Sequence, residues 1–85
     1  MKVIVPSMLQ SYTGAREVAV EGGTLAAVLL DLERRHPGLR FRVVDEQDRI
    51  RPHVRFFVNG ELVSDLGRAL APGDVVQIVQ ALSGG

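Results

Sequence analysis

The sequence predicts an α+β domain: a mixed sheet of four to five strands with one main helix packed across one face. Three observations predict it. The chain has 85 residues and a mass of 9.3 kDa, enough for one small domain and too little for a two-domain enzyme with a cofactor cleft. One stretch repeats its apolar residues at helical spacing, with Leu25, Val28, Leu29 and Leu32 forming a single stripe. The other apolar runs are short and bounded by Gly, Pro, Asn and Asp, the punctuation of strands and turns.

Lys2-Val3-Ile4-Val5 reads as a first strand, closed by Pro6. Ser7 to Gly14 reads as a turn. Arg16 to Val20 alternates polar and apolar residues and reads as a second strand, hairpin-paired to the first and ended by Gly22-Gly23. Thr24 is the expected N-cap, because its hydroxyl can accept from an orphan N–H of the first helical turn. Ala27 leaves out the acid of a capping box. The helix is expected over about residues 24 to 36, with Asp31, Glu33, Arg34 and Arg35 in solvent and Pro37-Gly38 stopping it after His36. Arg40 to Val44 reads as a short edge strand and Asp45 to Asp48 as a solvated loop tip.

Val54, Phe56 and Val58 alternate with Arg55 and Phe57 and give a strand with one core face. Asn59-Gly60 is a two-residue hairpin turn, since both residues tolerate φ > 0, and Glu61 to Val63 is the return strand. Asp65 to Leu70 reads as a single helical turn and Ala71 to Asp74 as a type II turn with Pro72 and Gly73 at its centre. Val75 to Val79, late and strongly apolar, is expected to lie centrally and parallel to the first strand. The expected core is Val3, Val5, Leu25, Val28, Leu29, Leu32, Phe56, Val58, Val76 and Ile78. Residues 1–80 are read as the domain and 81–85 as a flexible tail.

Composition excludes several functions. Apolar residues make up 46% and charged residues 24%, a globular and not a disordered balance. Lys2 and nine Arg are matched by ten acids, and a net charge of zero argues against general nucleic-acid binding. The absence of Cys excludes disulfides, thiolate metal sites and cysteine catalysis. The longest apolar run of the helical region, Leu25 to Leu30, falls far short of the roughly 20 residues that span a bilayer. No signal-peptide pattern opens the chain, so a cytoplasmic protein without membrane contact is expected.

The residues that could carry conventional chemistry have plainer readings. His36 and His53 read as surface histidines, with no Ser or acid at triad spacing. The acids of 45–48 lack the Gly and distal Glu of a calcium loop. Gly22-Gly23-Thr24 precedes a helix but lacks the Lys and glycine spacing of a phosphate loop. Arg40, Arg42, Arg49, Arg51 and Arg55 lie among aromatics, as in some RNA binders, but acids lie among them and Phe41, Phe56 and Phe57 are expected in the core.

What remains is the terminus, Gly84-Gly85. Two terminal glycines arise by chance in roughly 1 chain in 200 at ordinary glycine frequency. Here they close a segment, Gln80-Ala81-Leu82-Ser83-Gly84-Gly85, that follows a strand directly. Extended, it could reach about 20 Å from the body. Glycine, having no Cβ, passes a narrow channel and exposes its carbonyl to attack. A carboxylate is a poor electrophile, so such an arm needs ATP-dependent activation by a partner.

The order β-β-α-β-β-β, the turn Pro72-Gly73-Asp74-Val75-Val76 and the ending Ala81-Leu82-Ser83-Gly84-Gly85 resemble the MoaD/ThiS family of ubiquitin-like β-grasp sulfur carriers. The stretch Arg55 to Glu61 and the longer segment from Leu39 to Pro52 are similar to its cysteine-biosynthesis branch. The resemblance implies a ubiquitin-like β-grasp fold and a protein co-substrate that binds no cofactor. A ubiquitin-activating-type adenylyltransferase would use ATP to adenylate the Gly85 carboxylate. A sulfurtransferase or other donor would convert it to a thiocarboxylate, and a biosynthetic acceptor enzyme would collect the sulfur. By the same resemblance Gly84 and Gly85 form the reactive end, and Val79, Ala81 and Leu82 meet partners. The small subunit of molybdopterin synthase, a covalent protein modifier and a non-covalent interaction domain stay open as alternatives.

Overall fold

The computed structural model describes residues 1–80; the expectation of a flexible tail at 81–85 lies outside them. The chain runs β1 (Lys2–Ile4), a 3-10 turn (Ser7–Leu9), α1 (Gln10–Thr13), β2 (Glu17–Ala19), α2 (Leu25–Arg35), α3 (Leu39–Val43), β3 (Val54–Val58), β4 (Glu61–Val63) and β5 (Val75–Gln80). The strands form one five-stranded mixed sheet in the order β2-β1-β5-β3-β4. β5 lies at its centre, parallel to β1 and antiparallel to β3, as the apolar run at the end of the sequence predicts.

The core lies between one face of this sheet and the helices. Leu25, Val28, Leu29 and Leu32 of α2 are buried against Val3, Phe56, Val58, Val76 and Ile78. All ten expected core residues are buried. Each fully buried aliphatic or Phe side chain contributes roughly 1.5–3 kcal/mol, so this interface dominates the stability of a small domain.

The N-terminus of α2 is closed from both sides. Thr24 caps it, its hydroxyl accepting from Ala27 N–H at 3.1 Å. Leu25 N–H donates to the Arg68 carbonyl at 3.0 Å and Ala26 N–H to the Leu66 carbonyl at 2.8 Å. The orphan donors of the first turn are thus satisfied by protein. The backbone of Gly22 lies hard against this turn. A Cβ there would stand 2.7 Å from the Val28 nitrogen at a φ of +158°, so only glycine fits.

The structure departs from the expected elements at three places. Residues 65–70 are not a helical turn: the Leu66 and Arg68 carbonyls are turned towards α2, and Asp65 folds its carboxylate onto Gly67 N–H at 2.8 Å. Residues 7–14 are not a bare turn but the 3-10 turn and α1, which tuck Leu9 into the core at 1% exposure. Arg40 to Val44 is not an edge strand. Leu39 and Val43 are both buried, four residues apart, which is helical spacing, and Glu33 accepts from Gly38 and Arg40 N–H at 2.8 and 3.0 Å to start α3. Phe41, expected in the core, consequently points outward at 54% exposure, and Phe57 is half-buried on the other face of the sheet.

Two outcomes follow. Leu29→Ala should cost about 2–4 kcal/mol, read from urea denaturation with an unchanged m-value. Acid should destabilise the domain through its aspartates. Asp31 is held down to about 2, first by Glu21 N–H and then by Arg34 and Arg35, and Asp45 is lowered by the N–H of Arg49, then that of Gln47, and by the Arg49 guanidinium. Their folded values lie below the unfolded value of about 3.9, so their contribution is complete above about pH 5 and fades as pH falls towards about 2. Thermal melts should show Tm flat from neutrality to about pH 5 and falling below it, with a shallower fall in Asp31→Asn.

Candidate functional site

The site candidates of the sequence fall at the end of the central strand. Val79 lies in β5. Ala81, Leu82, Gly84 and Gly85 lie outside the described residues, and the structure does not bear on them. The site is therefore built from what holds β5, what its end displays and what borders it.

The base of β5 is fixed by a side-chain clamp. Asn59 and Gly60 take φ of +50° and +85°, both positive, as the two-residue turn between β3 and β4 requires. This orients the Asn59 amide towards β5. Its Oδ1 accepts from Val75 N–H at 2.9 Å and its Nδ2 donates to Asp74 Oδ1 at 3.0 Å. Asp74 also accepts from Ala71 N–H at 2.8 Å, inside the turn at 71–74, which is closed by Asp74 N–H donating to the Ala71 carbonyl at 3.0 Å. The Ala71 N–H, then the Asn59 amide, hold the Asp74 carboxyl below its usual value, with the Arg68 charge adding to the effect. The turn into the last strand is thus tied to the neighbouring hairpin.

Beyond this base β5 outruns β1. Its pairing with β1 covers Val75 to Gln77, while its pairing with β3 continues to Gln80. β1 stops before Pro6, which has no N–H to give, and Val5 N–H extends the β1–β2 register by one more bond, to the Arg16 carbonyl at 2.7 Å. A groove of about 360 Å³ follows along the free side of β5, bordered by Pro6, Gln10, Arg16 and Val79.

Alternation puts Val76, Ile78 and Gln80 on the helix side and Val75, Gln77 and Val79 on the open face. Val79 is 37% exposed where its neighbour Ile78 is 2% exposed. It stands opposite Arg55, and two residues back Gln77 stands opposite Phe57, which in turn faces Leu62 of β4. Leu62 is exposed and Phe57 half-buried. Phe57 and Leu62 were not singled out in the sequence as surface residues. The signal was present: both fall out of phase with Phe56, Val58 and Val63, which fill the core.

The other candidates stay apart from this end. His36 is the C-cap of α2, and Asp45 and Asp48 are engaged by Arg49 and Arg40. Among the described residues no group of His, Cys, Asp or Glu is arranged to hold a metal ion. None of their helices is long and apolar enough to cross a membrane.

With this geometry in place, relatives of known name can be set beside it. The sequence model of the ThiS family matches residues 3–85. The sulfur carrier protein CysO of Mycobacterium tuberculosis is 37% identical over 89 aligned positions, covering 98% of this chain and 96% of that protein. A chain of the Amycolatopsis orientalis BexX/CysO complex superposes with a TM-score of 0.91 at 31% identity, covering 99% of this chain and 98% of that one. The small archaeal modifier protein 1 of Haloferax volcanii superposes with a TM-score of 0.80 at 29% identity, covering 96% and 97%. The ubiquitin-like β-grasp class expected from the sequence is the fold of these neighbours.

The clamp generates its own test. Asn59→Ala removes two side-chain hydrogen bonds and places a Cβ-bearing residue without a compensating amide at positive φ. It should cost about 1–3 kcal/mol, with amide exchange quickened first at Val75 and Asp74.

Proposed function

The chain belongs to the ThiS family, and on that premise we propose that it is a sulfur carrier protein of the cysteine-type branch, a protein co-substrate and not an enzyme. The observation that carries this reading is the likeness to a sulfur carrier over nearly the whole length of both chains. The clamped central strand supports it, because a rigid body leading directly into the segment with Gly84 and Gly85 gives a partner a fixed point from which to receive it.

The chemistry proceeds in two balanced steps. A Gly85 carboxylate oxygen attacks the α-phosphorus of ATP on a ubiquitin-activating-type adenylyltransferase, giving an acyl adenylate and releasing pyrophosphate. Sulfide, supplied as such or released from a sulfurtransferase persulfide by a reducing thiol, then attacks the acyl carbon. The bond to the AMP oxygen breaks and AMP leaves, so the carboxylate has become a thiocarboxylate. An acceptor enzyme of biosynthesis takes the sulfur onward. This chain supplies the end group, with Gly84 and Gly85 offering no side chain to a narrow channel. Val79 supplies an apolar contact at its root, and Ala81 and Leu82 would extend it. The nucleotide belongs to the partner.

A covalent protein modifier is the second reading, favoured by the likeness to a small archaeal modifier protein. Lys2 is the sole lysine, and its ammonium is paired with Glu17 at 3.1 Å, so chain-building on this domain would be confined to that amine or the N-terminus. The small subunit of molybdopterin synthase is a further branch of the same chemistry.

Intact mass after incubation with the adenylyltransferase of the source organism, ATP and a sulfide donor separates the readings. A carrier gains about 16 Da as sulfur replaces oxygen; a modifier appears instead as an adduct on another protein. Deleting Gly85 should abolish the gain with Tm unchanged, because one residue shifts the carbonyl by about 3.5 Å from an attack distance of about 3 Å. Val79→Asp should weaken activation roughly 5–30-fold at unchanged Tm; an equal fall in stability would make Val79 a packing residue.

A further inference from the structure

We propose that the small cavity beside the end of β5 is a socket for one acidic side chain of the partner protein that takes up the terminal segment. It is lined by Phe41 and Arg42 of α3, Arg51 and His53 before β3, and Gln80. The identity of the partner rests on the carrier reading; the affinity for a carboxylate does not.

Size favours a small guest. The cavity holds about 240 Å³, below the roughly 300–1,000 Å³ of small-molecule sites, and suits a side chain better than a nucleotide. Charge sets its sign. The lining carries two guanidinium groups and no carboxylate, on a chain whose net charge is zero. Among the described residues the ion pairs use Lys2, Arg34, Arg35, Arg40, Arg49 and Arg68, and neither Arg42 nor Arg51. The acids of the adjoining loop are committed elsewhere, Asp45 to Arg49 and Asp48 to Arg40. Glu33 is committed to the start of α3.

The socket is also set in place before any guest arrives. Arg51 Nε donates to the Phe41 carbonyl at 2.7 Å, and its guanidinium lies over the Phe41 ring, 4.6 Å from the centroid. Among the described residues its terminal N–H groups meet no acceptor, and a fixed guanidinium loses little freedom on binding. Gln80 completes the lining, its Oε1 buried without a donor among the described residues. An acidic residue in a peptide brings a carboxylate for the guanidinium groups. Gln80 directly precedes residue 81, so a partner that closes around the terminal segment meets this cavity.

The test uses the full 85-residue chain, isotope-labelled and titrated by NMR with N-acetyl-glutamate-N-methylamide, its glutamine counterpart and inorganic phosphate. The blocked glutamate should give saturable shifts at the Arg51 Nε–H, the His53 ring and the Gln80 amide, the glutamine none, and Arg42→Gln should weaken the binding about tenfold. Shifts that fail to saturate, that the glutamine reproduces, that survive Arg42→Gln unchanged, or that phosphate alone produces would overturn the socket. In the activation assay Arg42→Glu should slow thiocarboxylate formation with Tm unchanged. A wild-type chain that gains no sulfur would sink the carrier reading and leave the titration to decide the socket.

Discussion

The domain depends on the two-sided pairing of β5. A strand bonded in parallel to β1 and antiparallel to β3 joins the two hairpins of the chain into one sheet, and without it neither hairpin has a surface broad enough for α2. An isolated hairpin is at best marginally stable in water. The last strand to be made is therefore the one that completes the core, through Val76 and Ile78, and the same strand displays Val79 on its open face. Stability and the display of Val79 are vested in one element.

This explains why the base of β5 is held by side chains as well as by the ladder. The Asn59 amide joins the β3–β4 turn to the turn at 71–74, two loops that the sheet alone would leave side by side. Fixing that end sets the register of β5, and a slip of one residue would exchange Val79 for Ile78 on the open face. The exposure of Val79 is thus specified from the opposite end of the strand.

Much of this was legible in the sequence because the signals were local. The α2 stripe, Thr24 as cap, Asn59-Gly60 and the alternation of Val54, Phe56 and Val58 each follow from neighbours a few residues apart. The misread segments are those whose structure is set from a distance. Phe41 and Val43 alternate as a strand would, and only Glu33 reaching forward and the burial of both Leu39 and Val43 make the segment α3. Residues 65–70 look like a helical turn until the N–H groups of α2 claim their carbonyls. Of the candidate site, Val79 was legible from alternation. Phe57 and Leu62 were legible only by phase, since nothing else separates an apolar residue on an exposed face from a core residue. The socket residues Arg42, Arg51 and Gln80 lie far apart in sequence and meet only in the fold.

The closure of the α2 N-terminus has a consequence for anion binding. A glycine pair leading into a capped helix is the usual foothold for phosphate, because N–H groups and the positive end of the helix dipole face outward. Here the carbonyls of Leu66 and Arg68 occupy that position, so the first turn is neutralised from within. The domain has thereby closed the N-terminus of α2 to phosphate: the N–H groups that would cradle an anion there are already spent on its own backbone and the Thr24 hydroxyl.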